Sequence, residues 1–308
     1  MTAQAMTALP DSIRVFERGW LSSNNILLVG PDDTALIDSG YMLHAAQTLA
    51  LVRQSLQGRR LDRLFNTHLH SDHCGGKAAL QAHYGCHTAI PLAEADKVRR
   101  WDTDALSFKA TGQQCERFGF DATVAPGATL TLGGLAWQAL GAPGHDPHSL
   151  IFYCAAERIL ISADALWENG FGVIFPELDG ESGFAEARDT LALIAALDVR
   201  LVIPGHGAPF TDAAAALARA RTRLDFLQAE PKRNAENAVK VMLKFLLLER
   251  QRIDLADVAP MFVSIPLLAG ARRRFLQREP GELAEWAIGA LVRAGAARID
   301  GATLVNAG

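Results

Sequence analysis

Apolar and polar positions alternate in short runs over the first part of the chain. Runs at 13–16, 26–29 and 35–37 predict three strands, the last two joined by a turn at Gly30, Pro31, Asp32 and Asp33. Between 43 and 57, Leu43, Ala46, Leu49, Leu51, Val52 and Leu56 recur at roughly helical spacing, and the pattern stops at Gly58. A strand over 61–65 ends at Asn66 and Thr67, where a cluster of histidines begins. Helical patterns follow at 75–84, 92–100 and 183–197. Strand patterns lie at 88–90, 129–140, 150–153, 159–161 and 201–203. Strands first, then strands alternating with helices, predict an α+β fold of two sheets with helices on the outside.

The texture changes after a long Ala/Leu/Arg helix at 213–228 and the break at Pro231. Helical patterns occupy 235–250, 255–258 and 282–293, and a hairpin over 296–305 turns at Asp300 and Gly301. A chain of 308 residues is about twice the usual domain size. The expected organisation is therefore a large domain over 1–231 and a small winged-helix-like domain over 232–308.

Composition narrows the class. With 49% hydrophobic and 21% charged residues the chain is globular and not disordered. The net charge of −4 divides into −8 before Lys232 and +4 from Lys232 onward, which argues against a strongly basic nucleic-acid binder. Neither a leader-like apolar segment at the start nor a run of roughly 18 apolar residues is present. The four cysteines form no Cys-x-x-Cys pair. The expectation is a cytoplasmic protein in a reducing setting, not bound to a membrane.

Three of the nine histidines lie in one short segment, Thr67-His68-Leu69-His70-Ser71-Asp72-His73-Cys74-Gly75-Gly76. Alternate positions His68 and His70 converge on one point from an extended turn. Asp72 and His73, at a helix entrance, reach a second point. Further candidates each follow a strand: His145, Asp164 and His206. Seven donors exceed a closed four-coordinate site. Divided as His68, His70 and His145 on one ion and Asp72, His73 and His206 on another, with Asp164 bridging, they make two open sites. The mixture of imidazole and carboxylate suits two divalent ions, zinc first, with iron or manganese as alternatives. Gly75 and Gly76 are expected to let the backbone pass close to the cluster.

The motif His-x-His-x-Asp-His, followed by His145, Asp164 and His206 at increasing distance, resembles the metallo-β-lactamase-fold hydrolases over roughly residues 13–230. The resemblance implies a four-layer αβ/βα sandwich with the metals between the sheet edges. It implies hydrolysis by a hydroxide bridging two metals, with Asp72 as ligand and aligning group. It also places Asp38 where the family orients its ligand loops. An aspartate at 164 resembles the thioesterase, lactonase and phosphodiesterase branches more than the β-lactamases, so β-lactam cleavage is not expected as the primary activity. The C-terminal layout is similar to the extension of certain lactamase-like proteins, including an endoribonuclease branch.

Where many relatives read Gly-His-Thr-Pro-Gly-Ser, this chain has Gly144-His145-Asp146-Pro147-His148-Ser149. His148 is therefore weighed as a catalytic acid for the leaving group, against a loop-stabilising role. Residues 167–176, rich in aromatics and glycine, are expected to form a wall or lid over the metals, with Trp101 and Phe108 nearby, or else core packing or a contact in a homodimer. Cys74 reads as a packed thiol, and His44, His83 and His87 as surface or packing residues. Arg272, Arg273 and Arg274 read as a solvated face in preference to a phosphate contact. The leading expectation is a dinuclear-metal hydrolase of a small ester, lactone or thioester. The alternatives are a metal-dependent endoribonuclease, which would take nucleic acid as partner, a mononuclear-iron persulfide oxygenase, and a non-catalytic metal-bearing binding protein.

Overall fold

The computed structural model describes residues 9–307; the start at Met1–Ala8, on which the absence of a leader was read, lies outside them. Six strands form the first sheet in the order β1 (Ile13–Phe16), β2 (Asn25–Val29), β3 (Thr34–Ile37), β4 (Arg63–Phe65), β5 (His87–Pro91) and β6 (Ala122–Val124). β1 to β3 are antiparallel, and β3 to β6 run parallel through crossover helices. The second sheet adds β7 (Thr129–Leu132), β8 (Leu135–Gly141), β9 (Leu150–Cys154), β10 (Ile159–Ala163) and β11 (Leu201–Pro204) in the order β11-β10-β9-β8-β7. Only β10 and β11 are parallel there.

The period-two geometry of strands explains the layering. Ile26, Leu28, Ala35, Ile37 and Phe65 of the first sheet share one buried cluster with Phe152, Cys154, Ile159, Ile161 and Ile203 of the second. The intervening Leu27, Leu36 and Leu64 point outward against Val52, Leu56 and Leu80 of the flanking helices. Ile151, Leu160 and Val202 likewise face Leu191, Ile194 and Leu224 on the other side. Both faces of both sheets are covered, which gives four layers, helix–sheet–sheet–helix. This is the fold class expected from the order of elements.

Beyond Pro231 the helix Lys232–Arg250, β12 (Arg252–Asp254), the helices Leu255–Ser264, Pro266–Ala271 and Pro280–Arg293, and the strands β13 (Ala297–Asp300) and β14 (Thr303–Asn306) follow in turn. A three-stranded sheet forms in the order β12-β14-β13. The three-residue strands β6 and β12 and the six-residue helix Pro266–Ala271 are too short to show a period in the sequence pattern. The helix expected to stop at 258 runs on through Pro260, because Val258, Met261 and Phe262 are buried in the local core. That core also takes in Val173 and Leu178 from the preceding part of the chain, so the C-terminal elements are packed onto the sandwich. Arg274 pairs with Asp179 at 2.8 Å and Arg272 donates to the Arg278 carbonyl, which ties this basic run down internally. Among the described residues no single helix is long and apolar enough to cross a membrane.

One buried charge departs from the core pattern. Lys77 opens the helix Lys77–Tyr84 fully buried, its Nζ 4.5 Å from the Phe118 ring centre and without a hydrogen bond. Burial lowers its pKa to about 8. Between pH 8 and 10.5 the unfolded chain therefore binds more protons than the folded one, and stability rises with pH across that window. Lys77→Met is expected to remove this rise and to stabilise the protein at pH 7 by about 1–3 kcal/mol. Urea unfolding at pH 7 and pH 10 measures both effects; an unchanged slope against pH would contradict them.

Candidate metal centre

The ends of β4, β8, β10 and β11 meet at one edge of the sandwich, and their loops carry the seven donors. His68, His70 and His145 bring one nitrogen each within 4.8 Å of the others, and Asp72, His73, Asp164 and His206 form a second group on the same criterion. Loop-to-loop hydrogen bonds hold the pieces in register. Leu150 N–H donates to the Thr67 carbonyl at 2.8 Å, Ser23 N–H to the Asp72 carbonyl at 2.9 Å, and Asn24 N–H to the Gly205 carbonyl at 2.7 Å.

Asp38 organises the first two pieces from the end of β3. Its buried carboxylate accepts from Thr67 N–H at 2.9 Å, Thr67 Oγ1 at 2.8 Å, Asn66 Nδ2 at 3.1 Å and His73 Nδ1 at 2.8 Å. A φ of 60° at Asp38 supports this aim; a short polar residue tolerates the left-handed region. The hydroxyl of Thr67 is committed to Asp38, so it accepts from His68 Nδ1 at 3.1 Å. His145 Nδ1 donates to the Val173 carbonyl at 2.6 Å. His68 and His145 are thereby left with an unprotonated Nε2 facing inward, and His73 turns its Nε2 the same way.

His68 Nε2 lies 3.0 Å from His70 Nδ1, which lies 2.9 Å from His145 Nε2. Burial, reinforced by the neighbouring imidazoles, lowers the pKa of His68 well below its ordinary value and that of His145 to about 4. Burial also lowers that of His70. In the second group His73 Nε2 has no hydrogen-bond partner and sits 3.4 Å from Asp164 Oδ1 and 3.8 Å from Asp72 Oδ2. Burial opposes charge on His73, but Asp164, Asp38 and Asp72 together raise its pKa well above the ordinary value. Asp164 is desolvated too, yet His73 and His206 pull it well below the usual carboxylate range. Neutral lone pairs converging in one group and buried carboxylates in the other fit divalent cations, which satisfy both.

Close approaches position this set. A Cβ on Gly172 would lie 2.4 Å from His145 Nδ1, so the wall touches the imidazole through bare backbone. Gly75 and Gly76 do not pass the donors themselves: their Cβ atoms would strike Met42 N and the Ser39 carbonyl at 2.4 and 2.3 Å. They let the helix entrance of Asp72 and His73 lie against the loop after Asp38.

A cleft of about 670 Å³ opens over the donors. Trp167, Phe171, Gly172, Val173 and Phe175 form one side, Trp20 another, and Asn237, Val241, Met242 and Phe245 of the helix Lys232–Arg250 the far wall. Trp20 stacks on His206 with ring centres 5.3 Å apart, and Trp167 Nε1 donates to Asp164 Oδ1 at 3.2 Å. The segment 167–176 is thus a wall. Trp101 and Phe108 are not part of it: they pack with Phe118, Leu69 and Ile90 in a separate core.

His148 does not line the cleft either. Asp146 Oδ1 accepts the His148 N–H at 2.7 Å, a tight local turn that sends the imidazole to Glu94 and Lys97. The hydrogen bond to Glu94, opposed by burial, raises the His148 pKa. Its geometry is that of the loop-stabilising role weighed against the catalytic one. Cys74 is buried, 3.4 Å from the Leu69 carbonyl, and all four cysteines are free. Trp20, Arg223 and Asn237 escaped the sequence reading; each lies in a locally polar context with no motif to mark it.

A family model for the metallo-beta-lactamase superfamily matches residues 18–206. The chain belongs to the metallo-beta-lactamase superfamily. Among curated proteins it is 29% identical over 169 residues to a hydroxyacylglutathione hydrolase of Acidiphilium cryptum, covering 54% of this chain and 59% of that one. It is 29% identical over 157 residues to hydroxyacylglutathione hydrolase GloC of Haemophilus influenzae, covering 47% and 68%. The chain spans about half the length of most of the curated relatives it matches. A solved metallo-beta-lactamase family protein of Thermus thermophilus shares the fold with a TM-score of 0.58, at 20% identity, over 97% of this chain and 100% of that one.

If Asp38 sets the donor geometry, Asp38→Asn should weaken metal binding about 10–100-fold while leaving the fold intact. Chelator competition with zinc, alongside circular dichroism, measures this. Unchanged affinity would contradict the organising role of Asp38.

Proposed function

We propose that the protein is a dinuclear-metal hydrolase of a small ester, lactone or thioester. The observation that carries this is two donor groups side by side on the floor of a cleft with aromatic and aliphatic walls. His68, His70 and His145 would hold one ion, Asp72, His73 and His206 the other, and Asp164 would reach both, its Oδ2 3.4 Å from His145 and its Oδ1 3.4 Å from His73. The hard and borderline donors suit zinc, with iron or manganese as substitutes. Such ions supply activated water at neutral pH and an electrophile for the scissile carbonyl.

The chain's own side chains do the rest. Asp72 lies at the cleft floor, where its carboxylate orients the attacking water while facing His206 at 3.1 Å. Trp20, Trp167, Phe171 and Phe175 exclude bulk water and receive the acyl part. Residues 1–231 would form the catalytic part. Residues 232–308 would form a winged-helix-like part whose first helix supplies the far wall. His148 is assigned no chemical step. A thioester is supported by the hydroxyacylglutathione hydrolases among the relatives. RNA cleavage is not favoured: the cleft lining offers a single arginine and no lysine, far short of a basic track along a phosphate backbone.

Zinc- and manganese-loaded protein assayed on ester, lactone, thioester and single-stranded RNA substrates separates these readings. Acyl substrates are expected to be cleaved, with activity lost on chelation and reduced at least about 100-fold by Asp164→Asn. Cleavage of RNA alone, or full activity and full metal content in Asp164→Asn, would overturn the assignment.

A further inference from the structure

Arg223 is the one lysine or arginine among the residues lining the cleft, and it is not engaged by an acid. It projects from the helix Ala213–Ala229 across the Phe171 ring, its guanidinium carbon 5.6 Å from the ring centre. Its Nη2 donates to Asn237 Oδ1 at 3.2 Å, and its Nε is buried with no hydrogen-bond partner. Among the described residues no carboxylate lies within ion-pair distance of it. Arginines nearby differ: Arg219 on the same helix donates to the Glu168 carbonyl, and Arg188 and Arg233 pair with Asp225 and Glu230. The acids that do line the cleft, Asp72 and Asp164, are engaged with the histidines of the donor groups. A guanidinium held in an apolar cleft with unused donors is poised for an anion. Asn237 extends that capacity, since its Oδ1 faces Arg223 and its amide N–H groups remain free to donate.

We propose that Arg223, with Asn237, is an anion subsite that takes a carboxylate on the substrate, so that the preferred substrate is an apolar acyl compound bearing a terminal carboxylate. The inference rests on the hydrolase reading for the position of the scissile bond, but the subsite itself does not. A single guanidinium suits a monoanion; a phosphate dianion at this end would call for a second lysine or arginine, and among the described residues none lines the cleft. The carboxylate then sits at the Arg223 end, and the Phe171 and Trp167 side chains cover the chain that joins it to the carbonyl.

Binding to metal-loaded protein tests this without turnover, using the fluorescence of Trp20 and Trp167 in the cleft. Phenylbutyrate and its neutral amide, phenylbutyramide, are the probes. The wild-type protein should bind the carboxylate about tenfold more tightly or better. Arg223→Gln should bring that ratio close to one. Asn237→Asp should do the same by pairing Arg223 internally, in a side chain of unchanged shape. Arg223→Lys should keep part of the preference. Equal binding of the two probes by the wild type would overturn the proposal. So would a preference that survives both Arg223→Gln and Asn237→Asp, because the carboxylate would then be held by the metal end. An Arg223-dependent preference without cleavage of any acyl substrate would sink the hydrolase reading and leave the subsite standing.

Discussion

Three carboxylates and five imidazoles are removed from water at one edge of two packed sheets, and the surrounding architecture answers to that arrangement. Burying Asp38 and Asp164, and half-burying Asp72 beside them, is tolerable only where donors surround them. Asp38 meets this condition within the protein, with donors from Asn66, Thr67 and His73. Asp72 and Asp164 meet it only in part, and His70 Nδ1 crowds the inward nitrogens of His68 and His145 at 3.0 and 2.9 Å. The imbalance is local and directional. It calls for positive charge at two adjacent points, and the sheets, glycines and cross-loop hydrogen bonds hold the donors where that charge would sit.

The cleft above is built from parts distant in sequence. One side comes from the loop after β10, another from Trp20 before β2, and the far wall from a helix beyond Pro231. Because the C-terminal core encloses Val173 and Leu178, the wall that touches His145 through Gly172 is anchored in the C-terminal elements. Packing in that region therefore bears on the donor geometry, and the C-terminal part shapes what the cleft can admit.

Much of this was legible in the sequence. Apolar runs marked most strands, because buried sheet faces tolerate little else. The dense His68–His73 segment, with His145, Asp164 and His206 after later strands, identified residues that do come together. Two kinds of information were missing. Direction is one: the spacing of His148 from His145 could not say that Asp146 would turn its imidazole toward Glu94. Distant convergence is the other: Arg223 is one of several arginines in an Ala/Leu/Arg helix, and only the tertiary fold puts Phe171 and Asn237 beside it. Trp101 and Phe108 failed for the same reason in reverse. They were expected near the wall at 167–176, whereas burial with Phe118 took them into a core.

The most direct measurement is anomalous diffraction at the zinc edge from crystals of the zinc-loaded protein. Two peaks are expected, one among His68, His70 and His145 and one among Asp72, His73 and His206, with Asp164 between them. A single peak, or zinc bound away from these residues, would contradict the dinuclear centre on which the functional reading stands.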